Sequence, residues 1–159
     1  MILVFPYYET EDKVRGVLSE SFGDIPEMSN DKISKYEKEG SLVIKDSIKV
    51  YSYSHPDNSN DNTVLSLIQE LVKRAENSGK NGVTVIAEMG SFYHHSLGDT
   101  QRLVDYELSL PSRYDDALKL KGLCVYHKED FENRLTEDQK QKLLQHHGQV
   151  FIVEDRWQT

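Results

Sequence analysis

The sequence predicts an α/β domain built on a mostly parallel sheet with helices on both faces. Two observations carry that prediction. Apolar runs recur at intervals: Ile2 to Phe5, Leu42 to Ile44, Gly82 to Ala87, Gly122 to Tyr126 and Val150 to Val153. Between most of them lie segments of helical periodicity, long enough to serve as crossovers. Such crossovers are right-handed, which lays the strands side by side in one direction and covers both faces. A chain of 159 residues fits one domain, here 1–159 with the tail 154–159 unassigned.

The elements follow in order. Ile2 to Phe5 reads as a buried strand ended by Pro6, which cannot donate to a ladder. Thr10 is a candidate N-cap for a helix to Ser21, with Val14, Val17 and Leu18 on one face. Asp31 to Glu39 is a short helix carrying Ile33 and Tyr36 and stopped by Gly40. Leu42 to Ile44 is the second strand. The stretch Ile48 to Tyr53 reads as either an added strand or an irregular loop, and His55 to Asn62 is a polar loop rich in turn formers. From a cap at Asn62 or Thr63, the residues Val64, Leu65, Leu67, Ile68, Leu71, Val72 and Ala75 follow the i, i+3, i+4, i+7 rule until Gly79.

Gly82 to Ala87 is a nearly continuous β-branched run, as expected for a strand covered on both faces. Asp99 to Leu110 is a helix ended by Pro111, and a short piece at Asp115 to Leu118 leads to the fourth strand. Thr136 followed by Gln139 is a capping-box pattern for the last helix, whose Leu143 and Leu144 are expected to face inward and whose C′ residue is Gly148. Val150 to Val153 is the expected last strand.

Charge narrows the function classes. The net charge of −8, from 27 acidic and 19 basic side chains, opposes a phosphate-binding face. No P-loop is present: Gly79-Lys80 is followed by Asn81, Arg74 stands at the first glycine position, and the pair follows a helix instead of preceding one. Cys124 is the single cysteine, so no internal disulfide forms, and a reducing compartment suits it. Without an 18-residue apolar stretch or a basic leader, a cytoplasmic location is expected.

In parallel sheets ligands bind beyond the carboxyl ends of the strands, near a topological switch point. The segments leaving those ends are 6–11, 46–53, 88–95, 126–130 and 154 onward. Glu88 ends the strongest strand and precedes Met89, Gly90, Ser91, Phe92, Tyr93, His94 and His95. It either receives a ligand or anchors its own loop, Gly90 to His95, through backbone N–H groups, and Gly90 permits close approach. Tyr126 and His127 should leave the same edge. Tyr106 is expected to pack inward, with Glu107 near a boundary where Arg102 or Arg113 could pair with it. The histidines and Cys124 show no diagnostic metal spacing, so no metal is expected. Cys124, within an apolar run, reads as a small hydrophobe before a nucleophile.

Four pieces, in this order and spacing, form a recognisable set: Gly82-Val83-Thr84-Val85-Ile86-Ala87-Glu88-Met89, Tyr106-Glu107, Leu123-Cys124-Val125-Tyr126 and Leu143-Leu144-Gln145-His146-His147. The set resembles the MEDS family, the methanogen/methylotroph DcmR-type sensory domain. By position Glu88 matches the family's acid after the central strand, Tyr106 and Glu107 its helical pair, Cys124 and Tyr126 its C-x-Y strand, and His147 its histidine before the last strand. The resemblance implies a RecA/KaiC-like three-layer sandwich without a phosphate loop, and a role in sensing small hydrocarbon-derived molecules. The sequence departs from the pattern at His127, where an aspartate is usual, and at Ser91, where an aromatic is usual; it starts near the family's second strand.

The expectation is therefore a non-catalytic sensory domain without a cofactor. Its ligand-binding residues would be Glu88, Met89, Phe92, Tyr93, Tyr106, Glu107, Cys124, Tyr126, His127 and His147. The expected partners are a small organic ligand and a separate signalling or regulatory protein, with a homo-oligomer open and neither nucleic acid nor membrane. A protein-interaction subunit without a pocket and a residual ATPase are the alternatives.

Overall fold

Four of the apolar runs pair into one all-parallel sheet: β1 (Ile2–Phe5), β2 (Leu42–Ile44), β3 (Val83–Glu88) and β4 (Leu120–Val125), in the order β2-β1-β3-β4. The computed structural model describes residues 1–23, 30–52, 64–94, 99–110, 119–147 and 149–152. Because side chains alternate across a strand, each strand feeds two faces. Leu3, Phe5, Val83, Val85 and Ala87 point to one face. There they pack against Ile68, Leu71 and Ala75 of α4 (Val64–Asn77), Leu103 and Val104 of α6 (Thr100–Ser109) and Leu143 of α8 (Glu137–His146). Val4, Leu42 and Ile44 point to the other face, against Val14 and Leu18 of α1 (Glu11–Gly23) and Ile33 and Tyr36 of α2 (Asn30–Lys38). Each fully buried Leu contributes about 2 kcal/mol. The expected layers, helices over both sides of a parallel sheet, are present.

Local signals act as the sequence suggests. Thr10 Oγ1 accepts from Lys13 N–H at 3.2 Å, and Gly40 sits at φ +66°, the left-handed position that stops α2. The Thr136–Gln139 capping box forms reciprocally at 3.3 and 3.0 Å.

Four expectations need correction. Residues 48–52 are neither strand nor loop but part of α3 (Ser47–Ser52). There Ser47, Val50 and Tyr51 are buried at i, i+3, i+4, and Asp46 Oδ1 accepts from Lys49 N–H at 3.0 Å. The segment after Glu88 is not a loop: α5 (Gly90–His94) follows β3 almost directly. Leu144 points outward, 43% exposed, while Leu143 is buried. The last strand does not form among the described residues: 149–152 carry no regular structure, and Val150, Phe151 and Ile152 are exposed. A helix unforeseen in the sequence, α7 (Lys128–Arg134), leaves β4. The readings at 55–63, 95, 111–118, 148 and 153–159 lie outside the described residues.

Chain order places the site. β1 continues to β2 on one side, and the chain then returns past β1 to β3 on the other. The switch point therefore lies between the carboxyl ends of β1 and β3.

Candidate functional site

At that switch point the side chains fill the crevice. Tyr7 and Tyr8 leave β1, and both backbone N–H groups donate to Glu88 Oε2, at 2.5 and 2.9 Å. Glu88 thus anchors the neighbouring segment after β1, where an anchor for its own loop was expected. Gly90 permits close approach, and what approaches is protein: a Cβ there would lie 2.3 Å from Tyr7 Cδ1 and 2.6 Å from Tyr8 Cζ. The Tyr8 hydroxyl donates to Asp130 Oδ2, which also meets His94 Nε2 at 3.1 Å, while Arg134 Nε donates to Asp130 Oδ1 at 2.7 Å. Burial opposes the charge on Asp130, but the bonds from Tyr8, His94 and Arg134 outweigh it and hold the carboxyl below its usual range. His127 stays exposed, its ring 5.3 Å from that of Tyr8. Glu88 and His127 therefore share a rim, since Glu88 pairs in register with Val125 and Tyr8 touches both.

A second polar group, a buried Glu107 with half-buried Cys124 and His147, lies where α6, β4 and the end of α8 meet. Glu107 is 0% exposed, not at a boundary, because it follows Leu103 by four residues and Val104 by three on the inward stripe of α6. The Cys124 thiol donates to Glu107 Oε2 at 3.2 Å, and His147 Nε2 stands 3.3 Å from the same oxygen. His147 is the C-cap of α8, its backbone N–H bonded to Leu143 O. Glu107 Oε1 has no hydrogen-bond partner among the described residues, and neither does the buried Tyr126 hydroxyl. Such orphans are unusual in a folded interior and call for a reason.

The electrostatics of this group run one way. Burial, then the Glu107 carboxylate, pushes the Cys124 thiol far above its ordinary range. Burial and Glu107 likewise raise Tyr126. The Glu107 carboxylate 3.3 Å away raises the imidazole of His147. A thiol held protonated is a poor nucleophile. Aromatic rings border the group: Tyr51 and Tyr106 feel the Glu107 charge, Tyr51, Phe92 and Tyr106 are in mutual contact at centroid distances of 4.8 to 5.4 Å, and Tyr126 lies 5.3 Å from Phe131.

The ten residues singled out in the sequence thus separate. Glu107, Cys124, Tyr126 and His147 converge inside, with Tyr106 and Phe92 in the wall. Met89 and Tyr93 are buried in the main core. Glu88 and His127 belong to the rim. Sequence reasoning missed Tyr51, Asp130 and the Tyr7-Tyr8 pair. The i, i+3, i+4 spacing of Ser47, Val50 and Tyr51 was a signal for the first, and the acidic first turn Glu129-Asp130 with Arg134 at i+4 for the second. An open depression of about 520 Å³ lies at the opposite, amino end of the strands, lined by Met1, Gly82, Lys80 and Lys119 among others, away from both groups.

Among the described residues no helix is long and apolar enough to cross a membrane. No curated protein and no solved structure matches the chain. A family model does, over residues 9–147, and its description is MEDS, MEthanogen/methylotroph, DcmR Sensory domain. That span contains the interior cluster and the rim residues other than Tyr7 and Tyr8, and with it the chain belongs to the MEDS family of sensory domains.

Proposed function

We propose that this domain is a non-catalytic input module that receives a small organic molecule at the interior cluster and passes the signal to a separate regulatory protein. The observation that carries the reading is Glu107: a fully buried carboxyl with one oxygen unpartnered among the described residues, flanked by Cys124 and His147. Leaving such an acceptor empty costs about 1–3 kcal/mol, which a hydrogen-bond donor arriving with an apolar body recovers. The wall of Tyr51, Phe92 and Tyr106 suits that body. The raised thiol of Cys124 favours reception over covalent chemistry. Relation to RecA/KaiC-type folds is part of the same proposal, supported by the parallel sheet and by a sequence without a phosphate loop.

Thermal melts with a panel of short alcohols, amines and halogenated hydrocarbons test it. A true ligand at 100 times its Kd adds about 2.7 kcal/mol. That gain should disappear in Glu107→Gln; a panel without effect, or an equal gain in the variant, would contradict the reading. A protein-interaction role is the second reading. It is favoured by Leu123 of β4 and by Val150, Phe151 and Ile152, all exposed apolar groups. Light scattering coupled to size exclusion distinguishes it, by a stable oligomer that no small molecule alters.

A further inference from the structure

The interior cluster has the chemistry of a cation site. We infer that Glu107, Cys124 and His147 bind a divalent metal ion of the zinc class, and that this ion is part of what the sensory cluster receives; the inference rests on the reading of that cluster as the receiving site. Three donors of three kinds converge there: a carboxylate oxygen, a thiol sulfur and an imidazole nitrogen, all within 4.8 Å of one another. Sulfur with imidazole and carboxylate is a borderline-soft set, which suits zinc and disfavours magnesium or calcium.

The distances bear on the same point. Tetrahedral zinc with its usual bonds of about 2.0–2.3 Å sets ligand atoms roughly 3.4–3.6 Å apart. Here the sulfur and the nitrogen lie 3.2 and 3.3 Å from Glu107 Oε2. Two edges of the tetrahedron are therefore nearly at their final length, and the third, from sulfur to nitrogen, is no longer than 4.8 Å. The second, independent observation is the carboxyl itself, 0% exposed with Oε1 unpartnered among the described residues. A buried acid next to a thiol and a histidine lacks a full counter-charge, and a cation supplies it.

The three donors are also held by separate rigid elements: Glu107 on α6, Cys124 on β4, His147 at the C-cap of α8. Loading the ion would tie these elements together. Three protein donors leave the fourth tetrahedral position open, and a small alcohol, amine or thiol is the class of molecule that could occupy it. The cluster has aromatic neighbours: Tyr126 and Tyr106 border the main core beside Cys124.

Titration of untagged protein with Co²⁺ tests the assignment, because cobalt in a tetrahedral thiolate site shows intense visible bands and a sulfur-to-metal charge-transfer band. We expect saturation at one ion per chain. Cys124→Ser should lose the charge-transfer band. His147→Gln should weaken binding by more than the roughly 10–100-fold that second-shell changes cost. His127→Gln, on the rim, should titrate like the parent. Circular dichroism of each variant separates a lost site from a lost fold. A spectrum that stays that of the hydrated ion in the folded parent overturns the inference, as does unchanged uptake in His147→Gln. If the organic panel stabilises the parent through Glu107 while cobalt gives no signal, the metal assignment falls and the receiving cluster stands. If Glu107→Gln alters neither response, both fall.

Discussion

Asp130 and Glu107 are both buried acids beside a histidine and a tyrosine, yet their surroundings differ in one respect. At the rim both oxygens of Asp130 are engaged: Oδ1 by Arg134, Oδ2 by Tyr8 and His94. In the interior Cys124 and His147 crowd one oxygen of Glu107, and the other has no partner among the described residues. A satisfied network rigidifies what it joins, whereas a partly satisfied one leaves free energy available to an arriving group. The rim, where sheet topology alone would place a ligand, is closed by Tyr7, Tyr8 and Gly90. The cluster a few residues deeper is the one left incomplete.

The largest effect expected is at the joint that closes the rim. Gly90→Ala places a methyl group on the Tyr7 and Tyr8 rings, whose backbone is pinned by Glu88, and should cost about 3 kcal/mol. Urea melts measure it; a midpoint within error of the parent would show the crevice to be open. Asp130→Ala should cost about 2 kcal/mol by the same measurement, since it strands the Tyr8 hydroxyl and the Arg134 guanidinium. An unchanged midpoint there would reduce the rim network to a surface contact.

The acid limb of the stability curve sharpens the comparison further. Asp130 is lowered in the folded state from 3.8, so its contribution is fully present above that pH and is lost as pH falls through the lower folded value. Melts between neutral and strongly acidic pH should therefore show a shallower acid limb in Asp130→Asn than in the parent. Identical limbs would mean that its partners do nothing for stability. The smallest effect is expected at Glu107. Because its carboxyl is incompletely partnered, Glu107→Gln should change stability by no more than about 1 kcal/mol, whereas a structural buried ion pair broken on one side costs about 3–5 kcal/mol.

Much of the sheet was legible because buried strands need no long-range information: Ile2 to Phe5 is apolar from end to end, and Val83 to Ala87 is interrupted only by Thr84. The Thr136–Gln139 box was legible for a similar reason, being local. Residues 48–51 were not, because Ile48 and Val50 favour strands by propensity, while the helix buries Ser47, Val50 and Tyr51 together and sets Tyr51 on Phe92 of α5 and Tyr106 of α6. Val150 to Ile152 has strand composition, but pairing depends on an edge elsewhere in the chain. The burial of Glu107 was visible only as its place on the Leu103–Val104 stripe, since an acid there ordinarily faces water. The grouping of Glu107, Cys124 and His147 came through the family pattern; no spacing in one sequence brings α6, β4 and the end of α8 together.

The most direct test of the contrast is a set of thermal melts of Glu107→Gln and Asp130→Asn, each with and without Zn²⁺ and the organic panel. The account predicts that Glu107→Gln melts near the parent temperature and gains nothing from any addition, while Asp130→Asn melts lower and gains as much as the parent. A gain that survives in Glu107→Gln, or vanishes in Asp130→Asn, would contradict it.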